Sequence, residues 1–433
     1  LKNVFKDHVK VFLQTASRLR QGDAIVVNRD LFGRVSLIIP QSLLDDRQTA
    51  TLFDALKEEL VLQLGPHAAP DDAALLGEMD LARLWEGAPS FDLFDPDDSF
   101  PVPVKVVDRL ASEAQWSSVF DPASGPPRVA FYSLKGGVGR STALAVAAWS
   151  LAKQGKRVLV FDLDLESPGL SSFLTRPEEM PQYGIVDWLV EDLVGAGDPL
   201  LDSMVASIDV RSAGELLVVP AHGSKPGEYL LKLGRIWMPS LSKDGSREPW
   251  FRRLGRMLQS LVDQRRPDII LLDARAGLNE ASSSTLLSLG ASRILLFATN
   301  SEHTWAGYGI LFDHWRRSGQ AYSIRNRLQM VAAMVPETGA DVYLNDVRGM
   351  AWKLFTETLY DEVPPDAPAT EYFNFDLSDT EAPHYAWPVL WHRGFNSIAT
   401  FHEGLRNADD SLVTAVFGSI IRGLQDELDI AEA

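Results

Sequence analysis

The feature that most constrains this chain is a glycine-rich turn that separates an apolar run from a helix-forming run. Residues 128–133 are the apolar run, Lys135 to Thr142 read Lys-Gly-Gly-Val-Gly-Arg-Ser-Thr, and an alanine-rich run follows as far as Lys153. This order predicts a buried strand, a tight loop and the start of a helix. Loop amides, the positive end of a helix dipole and a cationic side chain together form a cradle for phosphate groups.

The loop departs from the usual phosphate-loop pattern, G-x-x-x-x-G-K-[ST], at two positions. Lys135 stands before the glycines, and Arg140 occupies the position where a lysine is usual. Arginine and lysine are not equivalent at a close-packed phosphate site, although a guanidinium can still bind phosphate oxygens bidentately. We therefore expect phosphate binding to survive the change. Hydrolysis is expected either to be slow or to depend on Lys135 for more of the transition-state charge.

Apolar runs alternate with helical patterns from residue 128 onward. Strands are predicted at residues 128–133, 157–162, 215–220, 268–273, 292–298 and 328–335. Helices are predicted between them, notably at residues 141–154, 248–265, 279–289 and 303–317. This alternation predicts an α/β fold whose mostly parallel sheet is covered on both faces and binds ligands at the carboxyl ends of its strands.

The chain before the glycine loop carries no chemical motif. Residues 1–120 are predicted to form a small α+β module for docking or regulation, and residues 121–127 a proline-rich linker. Within the module we expect helices at residues 2–19, 47–64 and 104–116, paired strands around a turn at residues 28–33, and a loop or arm at residues 87–103. Residues 128–345 are expected to be the core, with residues 346–433 a C-terminal extension packed on it.

Composition excludes several classes of protein. The chain has 433 residues, no cysteine and a formal net charge of −18. Disulfides and thiolate metal sites are excluded, and non-specific binding of DNA or anionic membranes by the whole surface is disfavoured. No apolar run approaches the roughly 20 residues of a membrane span. We expect a cytoplasmic protein without a membrane partner.

Two further predicted strands end in carboxylates. Asp162 and Asp164 close the 157–162 strand and share one face by its period-two alternation, and Asp273 closes the 268–273 strand before a loop of small residues. Such carboxylates can lie beside Mg²⁺ and orient an attacking water, or can simply cap the following turn. Because all three motifs occur in order on the expected elements, we favour nucleotide binding.

These residues resemble a known group of proteins. The Lys135 loop is similar to the deviant Walker A loop of the ParA/MinD family of P-loop ATPases, and its arginine form resembles a bacterial subgroup of KGGVGR-variant ATPases. The strands that end at Asp162, Ala221 and Asp273 resemble other motifs of the family. The resemblance covers about residues 128–340. It implies a mostly parallel, doubly wound P-loop NTPase sheet, here preceded by a small N-terminal α+β module.

The resemblance also implies roles for individual residues. The residues expected to contact ATP are Gly136, Gly137, Val138, Gly139, Arg140, Ser141, Thr142 and, at the base, Asn300, with Glu302 nearby. The residues expected at Mg²⁺ are Ser141 as ligand and Asp162 and Asp273 around it. The residues expected to act in catalysis are Lys135, which reaches across a nucleotide-dependent homodimer, Asp164, which holds the attacking water, and Arg140.

The leading hypothesis is an ATP-hydrolysing switch whose nucleotide state controls dimerisation and the binding of a protein partner through the N-terminal module, in a bacterial multi-gene, defence-like system. The alternatives are a nucleotide-gated scaffold with negligible hydrolysis and a ParA-like DNA-partitioning ATPase. The family often places an asparagine that recognises adenine at the end of the strand predicted here at residues 328–335. Residues 331–337 lack one, so ATP as the nucleotide rests on the resemblance.

Other residues that could carry chemistry have simpler interpretations. Five arginines of the predicted 248–265 helix and its end are expected to be a solvated face, with DNA contact as the alternative: Arg252, Arg253, Arg256, Arg265 and Arg266. The histidines His384, His392 and His402 are expected to be core or surface polar groups rather than metal ligands.

Two parts of the C-terminal extension have clear patterns. Tyr385, Trp387, Trp391 and Phe395 alternate as in a half-buried strand and could equally line a partner groove. The amphipathic residues 411–427 precede an acidic ending that anionic lipids would repel, so we expect that helix to pack on the core.

Overall fold

The computed structural model of this chain describes residues 25–38, 47–68, 90–93, 104–108, 116, 118–241, 245, 247–365, 368, 371–395 and 409–432. The chain divides into two compact units, Leu1–Ser118 with Asp313–Ala321 and Val119–Phe312 with Tyr322–Ala433. The helix predicted at residues 2–19, and His402, lie outside the described residues. The finer domain boundaries expected from the sequence remain predictions.

The first unit contains a small α+β module, as the sequence predicts. Its described elements are β1 (Ile25–Arg29), β2 (Val35–Ile38), α1 (Arg47–Leu64), β3 (Ser90–Leu93) and β4 (Val104–Asp108). The strands pair in the order β2-β1-β4-β3, with β1 parallel to β4 and antiparallel to β2. The turn between β1 and β2 forms where Asp30 accepts hydrogen bonds from the amides of Phe32 and Arg34.

Two predictions in this module are wrong. Residues 104–108 are the strand β4 instead of the start of a helix, because Val104, Val106 and Val107 are β-branched and the segment pairs on both sides. Residues 90–93, expected in a loop or arm, are the strand β3, which pairs antiparallel with β4.

The second unit is built around an eight-stranded sheet. Its strands are β5 (Arg128–Ser133), β6 (Arg157–Leu163), β7 (Ala206–Ile208), β8 (Glu215–Val219), β11 (Ile269–Ala274), β12 (Arg293–Ala298), β13 (Leu328–Val335) and β14 (Trp387–Leu390). Two short strands, β9 (Ser240–Leu241) and β10 (Arg247–Glu248), pair separately. The six strands predicted from the glycine loop onward are confirmed within two residues at each end.

The sheet order is β14-β13-β12-β5-β11-β6-β8-β7, and β7 is its antiparallel member. The strand before the glycine loop, β5, is therefore central, with β11 beside it and β6 beside β11. Asp273 on β11 is in register with Asp162 on β6 and with Phe131 on β5. This register brings the carboxyl ends of the three motif-bearing strands together.

Helices connect these strands. They are α2 (Arg140–Lys153), α3 (Leu170–Leu174), α4 (Ile185–Asp192), α5 (Tyr229–Ile236), α6 (Trp250–Arg265), α7 (Glu280–Ser283), α8 (Glu302–Arg317), α9 (Ala321–Ile324), α10 (Ala340–Thr358) and α11 (Asp410–Glu432). The notable helices predicted in this region are found, although residues 284–288 of the one predicted at 279–289 form a π-helical turn. The fold is the mostly parallel α/β sheet expected from the sequence.

The C-terminal helix α11 completes the hydrophobic core, as predicted. Its buried residues lie in one cluster with those of α2, among them Phe417, Ile420 and Leu424, which are at most 2% exposed. Glu427 of α11 also binds Arg293 at 2.7 Å. Among the described residues, no helix is both long enough and apolar enough to cross a membrane.

The aromatic segment of the C-terminal extension is partly a strand. Residues 387–390 form β14, which pairs parallel with β13, while Phe395 lies in a short 3₁₀ turn and packs edge-on against Phe417. The predicted strand is therefore shorter than its alternating pattern indicated.

Candidate functional site

The glycine loop joins the carboxyl end of β5 to α2. Gly137 and Gly139 have φ values of 76° and 81°, a left-handed conformation that side-chain-bearing residues rarely adopt. Gly139 is the residue before α2, and within the described part of the chain no side chain caps this helix. Lys135, Gly136 and Gly137 are exposed, whereas Val138 is buried. The loop thus turns backbone and one lysine outward beside an uncapped helix N-terminus.

Arg140 points away from that outer surface and is buried among carboxylates. Its Nε donates to Asp273 Oδ1 at 2.8 Å, its Nη2 lies 3.7 Å from Asp164 Oδ2, and its side chain is 8% exposed. Ser141 donates its hydroxyl to the other Asp273 oxygen at 2.7 Å. The first turn of α2 is therefore tied to the end of β11 through both oxygens of one aspartate.

Asp162 is the most buried carboxylate of the group. It is 0% exposed, and its Oδ2 accepts hydrogen bonds from the hydroxyl of Ser171 at 2.6 Å and from its amide at 3.1 Å. Its other oxygen, Oδ1, is buried without a hydrogen-bond partner among the described residues. An orphaned buried carboxylate oxygen is costly unless a further donor or cation reaches it.

Electrostatics of the cluster favour an added positive charge. Burial, with the charge of Asp273 as the second cause, raises the pKa of the Asp162 carboxyl to about 7, against opposing hydrogen bonds from Ser171. Burial also raises the pKa values of Asp164 and Asp273, while Arg140 opposes the rise at both. One guanidinium therefore compensates the buried carboxylates incompletely.

The residues present fit a magnesium ion that takes part of its coordination from a nucleotide. A serine hydroxyl and carboxylates are the hard oxygen donors that Mg²⁺ prefers, and Asp162 Oδ1 is a free acceptor beside them. In the described part of the chain, no group of three or more histidine, aspartate or glutamate residues is arranged to hold a metal alone.

The segment after Asp273 is held against the glycine loop. The Gly277 amide donates to Ser133 O at 3.0 Å, and the Tyr132 hydroxyl donates to Gly277 O at 3.2 Å. Arg275, in the same segment, forms ion pairs with Glu166 and, at 4.0 Å, with Asp164. Sequence reasoning missed both Arg275 and Ser171. A basic residue two positions after Asp273 in an acidic site was the available signal for Arg275, whereas nothing in the sequence singles out Ser171.

Asn300, the expected base contact, follows β12 at the same edge of the sheet and is exposed. On the neighbouring α10, the Tyr343 hydroxyl donates to Ala333 O of β13 at 2.7 Å. Met334, also missed, has a left-handed φ of 57° and places its sulfur 3.8 Å from the position that a Cβ on Gly139 would take. Residues 331–337, which lack an asparagine, thus still lie beside the loop at Met334.

Comparison with known proteins decides which family this site belongs to. The sequence profile of the CobQ/CobB/MinD/ParA nucleotide-binding domain matches residues 129–349, about half of the chain. The chain belongs to this family. Every residue that the sequence predicted for the site, from Lys135 to Asn300, lies inside the matched region. No curated protein is significantly similar to the chain in sequence.

Several solved structures resemble this CobQ/CobB/MinD/ParA protein at low sequence identity. A ParA family ATPase from Chlorobium tepidum TLS is 14% identical with a TM-score of 0.44, and the match covers 69% of this chain and 99% of that one. A Cyanothece McdA in complex with ATP is 16% identical with a TM-score of 0.43, over 71% and 98% of the two chains. A cobyrinic acid a,c-diamide synthase from Mycobacterium smegmatis with bound ADP and magnesium is 16% identical with a TM-score of 0.39, over 67% and 94%.

The basic helix of this CobQ/CobB/MinD/ParA domain differs from its prediction. Arg253 is 0% exposed and binds Asp192 at 2.7 Å, and Arg256 binds both Asp192 and Glu248. The prediction of a solvated basic face is therefore wrong for Arg253, because a carboxylate at the end of α4 draws its guanidinium inward. Arg252, Arg265 and Arg266 remain at least partly exposed.

The histidines of the C-terminal extension lie away from the carboxylate cluster in sequence. His384 is fully buried, with Nδ1 2.5 Å from the Tyr360 hydroxyl and Nε2 3.3 Å from Leu377 O. His392 accepts a hydrogen bond from the amide of Gly394 in its own turn. Both nitrogens of His384 are thus used within the core.

Proposed function

We propose that this chain is a Mg²⁺-dependent ATP-binding and ATP-hydrolysing switch of the deviant Walker A type, whose nucleotide state controls dimerisation and the binding of a protein partner. The observation that carries the proposal is the meeting of Ser141, Asp273, Asp162 and Asp164 beside the glycine loop, at the carboxyl ends of adjacent parallel strands. A nucleotide triphosphate held by the loop would present its terminal phosphates to those groups.

Each part of the site has a proposed role. The amides of residues 136–142 hold the phosphate oxygens, with Thr142 at the α-phosphate and Asn300 near the base. Ser141, Asp162 and Asp273 would hold Mg²⁺ directly or through water, and the ion would supply positive charge that offsets the charge of the phosphates. Asp164 orients the attacking water, since it is the least buried of the three aspartates and lies at the mouth of the cluster.

Lys135 is proposed to act across a homodimer. It precedes the loop and is exposed, so its ammonium is available to phosphates bound by a second copy of the chain. The N-terminal module, residues 1–120, is proposed to recruit the protein partner, in a defence-like multi-gene setting.

A second function is favoured by one specific observation. Arg140 is hydrogen-bonded to Asp273 at 2.8 Å and buried, which leaves the usual phosphate-loop lysine position occupied by a cation already engaged with a carboxylate. If that pair persists in the nucleotide complex, transition-state charge on the γ-phosphate is less stabilised. The chain would then act as a nucleotide-gated scaffold with negligible hydrolysis.

Phosphate release separates these two functions. Steady-state turnover should be measured for the wild type, Lys135→Ala and Asp164→Ala, with Lys225→Ala as a control for a surface lysine. The switch predicts turnover that both site variants reduce strongly and the control does not. If the wild type binds ATP but turns it over no faster than the two site variants do, only the scaffold function is left.

Dimerisation and DNA binding need their own measurements. Light scattering coupled to size exclusion should show a doubled mass with a slowly hydrolysed ATP analogue and not with ADP. An unchanged mass would remove the dimer from the proposal. Titration of duplex DNA at two salt concentrations tests the partitioning alternative, which requires ATP-dependent and salt-sensitive binding.

A further inference from the structure

Arg275 is a cation of the site that the sequence motifs do not assign. It follows Asp273 by two residues, just beyond the end of β11. Its Nη1 forms an ion pair with Glu166, and its Nε lies 4.0 Å from Asp164 Oδ1. Asp164 therefore lies between two guanidinium groups, those of Arg140 and Arg275.

The backbone that carries Arg275 is anchored on both sides. The Arg275 carbonyl accepts the Ser282 hydroxyl at 2.8 Å, and two residues later Gly277 is bonded to Ser133 and Tyr132 of the central strand. A Cβ on Gly277 would lie 3.9 Å from Leu134 O, at the start of the glycine loop. The side chain of Arg275 thus projects from a fixed position beside the phosphate loop.

The two guanidinium groups differ in how firmly they are held. The partner of Arg140 is Asp273, whose side chain is 1% exposed, whereas the partner of Arg275 is Glu166, which is 42% exposed. Separating an exposed ion pair costs much less free energy than separating a buried pair. Arg275 is therefore the guanidinium that an incoming anion releases at the lower cost.

We propose that Arg275 is a phosphate-contacting residue, which leaves Glu166 on nucleotide binding and contacts the terminal phosphate of a nucleoside triphosphate bound in the same chain. This inference rests on the proposed nucleotide site and adds a second cation to it. A planar guanidinium binds phosphate oxygens bidentately, and the anchored backbone fixes where it can reach. Glu166 competes for the guanidinium when no terminal phosphate is present.

Arg275 then also contributes to the reaction. Water adds its oxygen to the γ-phosphorus, the bond from that phosphorus to the β-phosphate oxygen breaks, and ADP, inorganic phosphate and a proton are released. Negative charge shifts onto the bridging and terminal oxygens during this step, and a guanidinium in contact with them stabilises the transition state. Arg275 thereby supplies positive charge to the terminal phosphate, whereas the guanidinium of Arg140 is bound to Asp273.

Affinities for a triphosphate analogue and for ADP test the contact without requiring turnover. The full-length wild type, Arg275→Ala and Glu166→Gln should each be titrated with Mg²⁺ and either ADP or a slowly hydrolysed ATP analogue. Arg275→Ala should weaken the analogue about tenfold, the size of one charge-assisted hydrogen bond, and leave ADP within about twofold. Glu166→Gln should strengthen analogue binding, because it removes the competitor for the guanidinium.

The opposite directions of the two variants separate this role from a purely structural one. If Arg275 served only to hold Glu166 in place, both substitutions would weaken binding together, and the proposal would be overturned. Equal effects of Arg275→Ala on ADP and the analogue would overturn it as well. Arg157→Ala is the matched control. Arg157 forms a partly exposed ion pair with Glu215 at 2.7 Å, at the end of β6 that lies away from the glycine loop.

Failure of the proposed function gives a different result. A wild type that binds neither ADP nor the analogue removes the nucleotide site itself, and Arg275 with it. A wild type that binds both equally, with Arg275→Ala unchanged, keeps the nucleotide site and overturns only the role of Arg275. Arg275→Lys, which keeps the charge but not the fork, should recover part of the analogue affinity.

Discussion

Replacement of Arg140 by lysine should move stability and turnover in opposite directions. The Arg140 guanidinium spans Asp273 at 2.8 Å and Asp164 at 3.7 Å, and its side chain is 8% exposed. A lysine keeps the charge but loses the forked geometry, and a lost hydrogen bond to a charged group costs about 1.5–3 kcal/mol of the free energy of unfolding. Arg140→Ala leaves the buried Asp273 without its guanidinium partner and should cost about 3–5 kcal/mol of the free energy of unfolding.

Turnover should respond in the other direction for the lysine variant. An ammonium on a flexible stem is less firmly tied to Asp273 and can reach the phosphates, so Arg140→Lys should raise the rate of ATP hydrolysis about tenfold, equivalent to one good transition-state hydrogen bond. Arg140→Ala should not, because it supplies no charge. Phosphate release under saturating ATP measures this difference.

Hydrogen exchange of the peptides that cover β6 and β11 reports the stability change where it arises. Arg157→Lys, at an exposed pair, is the control and should change the free energy of opening by less than about 1 kcal/mol. If Arg140→Ala protects these strands as well as the wild type does, Arg140 does not compensate the carboxylates. An Arg140→Lys variant that is as stable as the wild type, or that hydrolyses ATP more slowly, would refute the prediction.

Two further outcomes follow from buried groups outside the site. Burial lowers the pKa of His384 from its ordinary 6.5, so the unfolded chain binds the proton more tightly than the folded chain does. The contribution of neutral His384 to the free energy of unfolding should be fully present above pH 6.5 and should decrease as the pH falls below 6.5. Denaturation from about pH 8 to about pH 5 should show this fall, and His384→Gln should flatten it; equal slopes would contradict the assignment. Asp192→Ala, which leaves the 0% exposed Arg253 without its carboxylate, should cost about 3–5 kcal/mol in urea denaturation. Asp202→Ala, at an 87% exposed carboxylate, should cost almost nothing, and similar costs for the two would refute a buried pair at Arg253.

The central sheet could be predicted because its strands carry their own signal. Residues 128–133 and 269–274 are continuous apolar runs bounded by turn-forming residues, and they are buried along their whole length. Such runs are typical of strands inside a parallel sheet, because helices cover both of its faces. The positions of Asp162 and Asp273 followed from the predicted carboxyl ends of their strands.

Elements that depend on distant partners could not be predicted. The segment at residues 104–108 is too short for periodicity to distinguish a strand from a helix. It becomes a strand because it pairs in parallel with β1, about eighty residues earlier in the chain. β7, at one edge of the large sheet, depends in the same way on pairing with β8. At the other edge, the alternating pattern predicted a strand, and pairing with β13 sets the shorter length of β14.

Within the site, sequence located the residues but not their contacts. Lys135 to Thr142, Asp164 and Asp273 lie together as the order of motifs indicated. Two contacts depend on side-chain directions that no motif encodes. They are the ion pair of Arg140 with Asp273 and that of Arg275 with Glu166. Charge balance explains both contacts, because buried carboxylates attract whichever guanidinium groups are within reach.

Calorimetric titration of the wild type with ATP in the presence of Mg²⁺ tests the central claim most directly. The account predicts saturable binding of one ATP per chain, lost in Gly139→Val because Gly139 has a φ of 81° that valine cannot readily adopt. Gly234→Ala, at a helical glycine with open space around it, should bind as the wild type does. Absence of ATP binding by the folded wild type, or equal binding by Gly139→Val, would contradict the glycine loop as the nucleotide site.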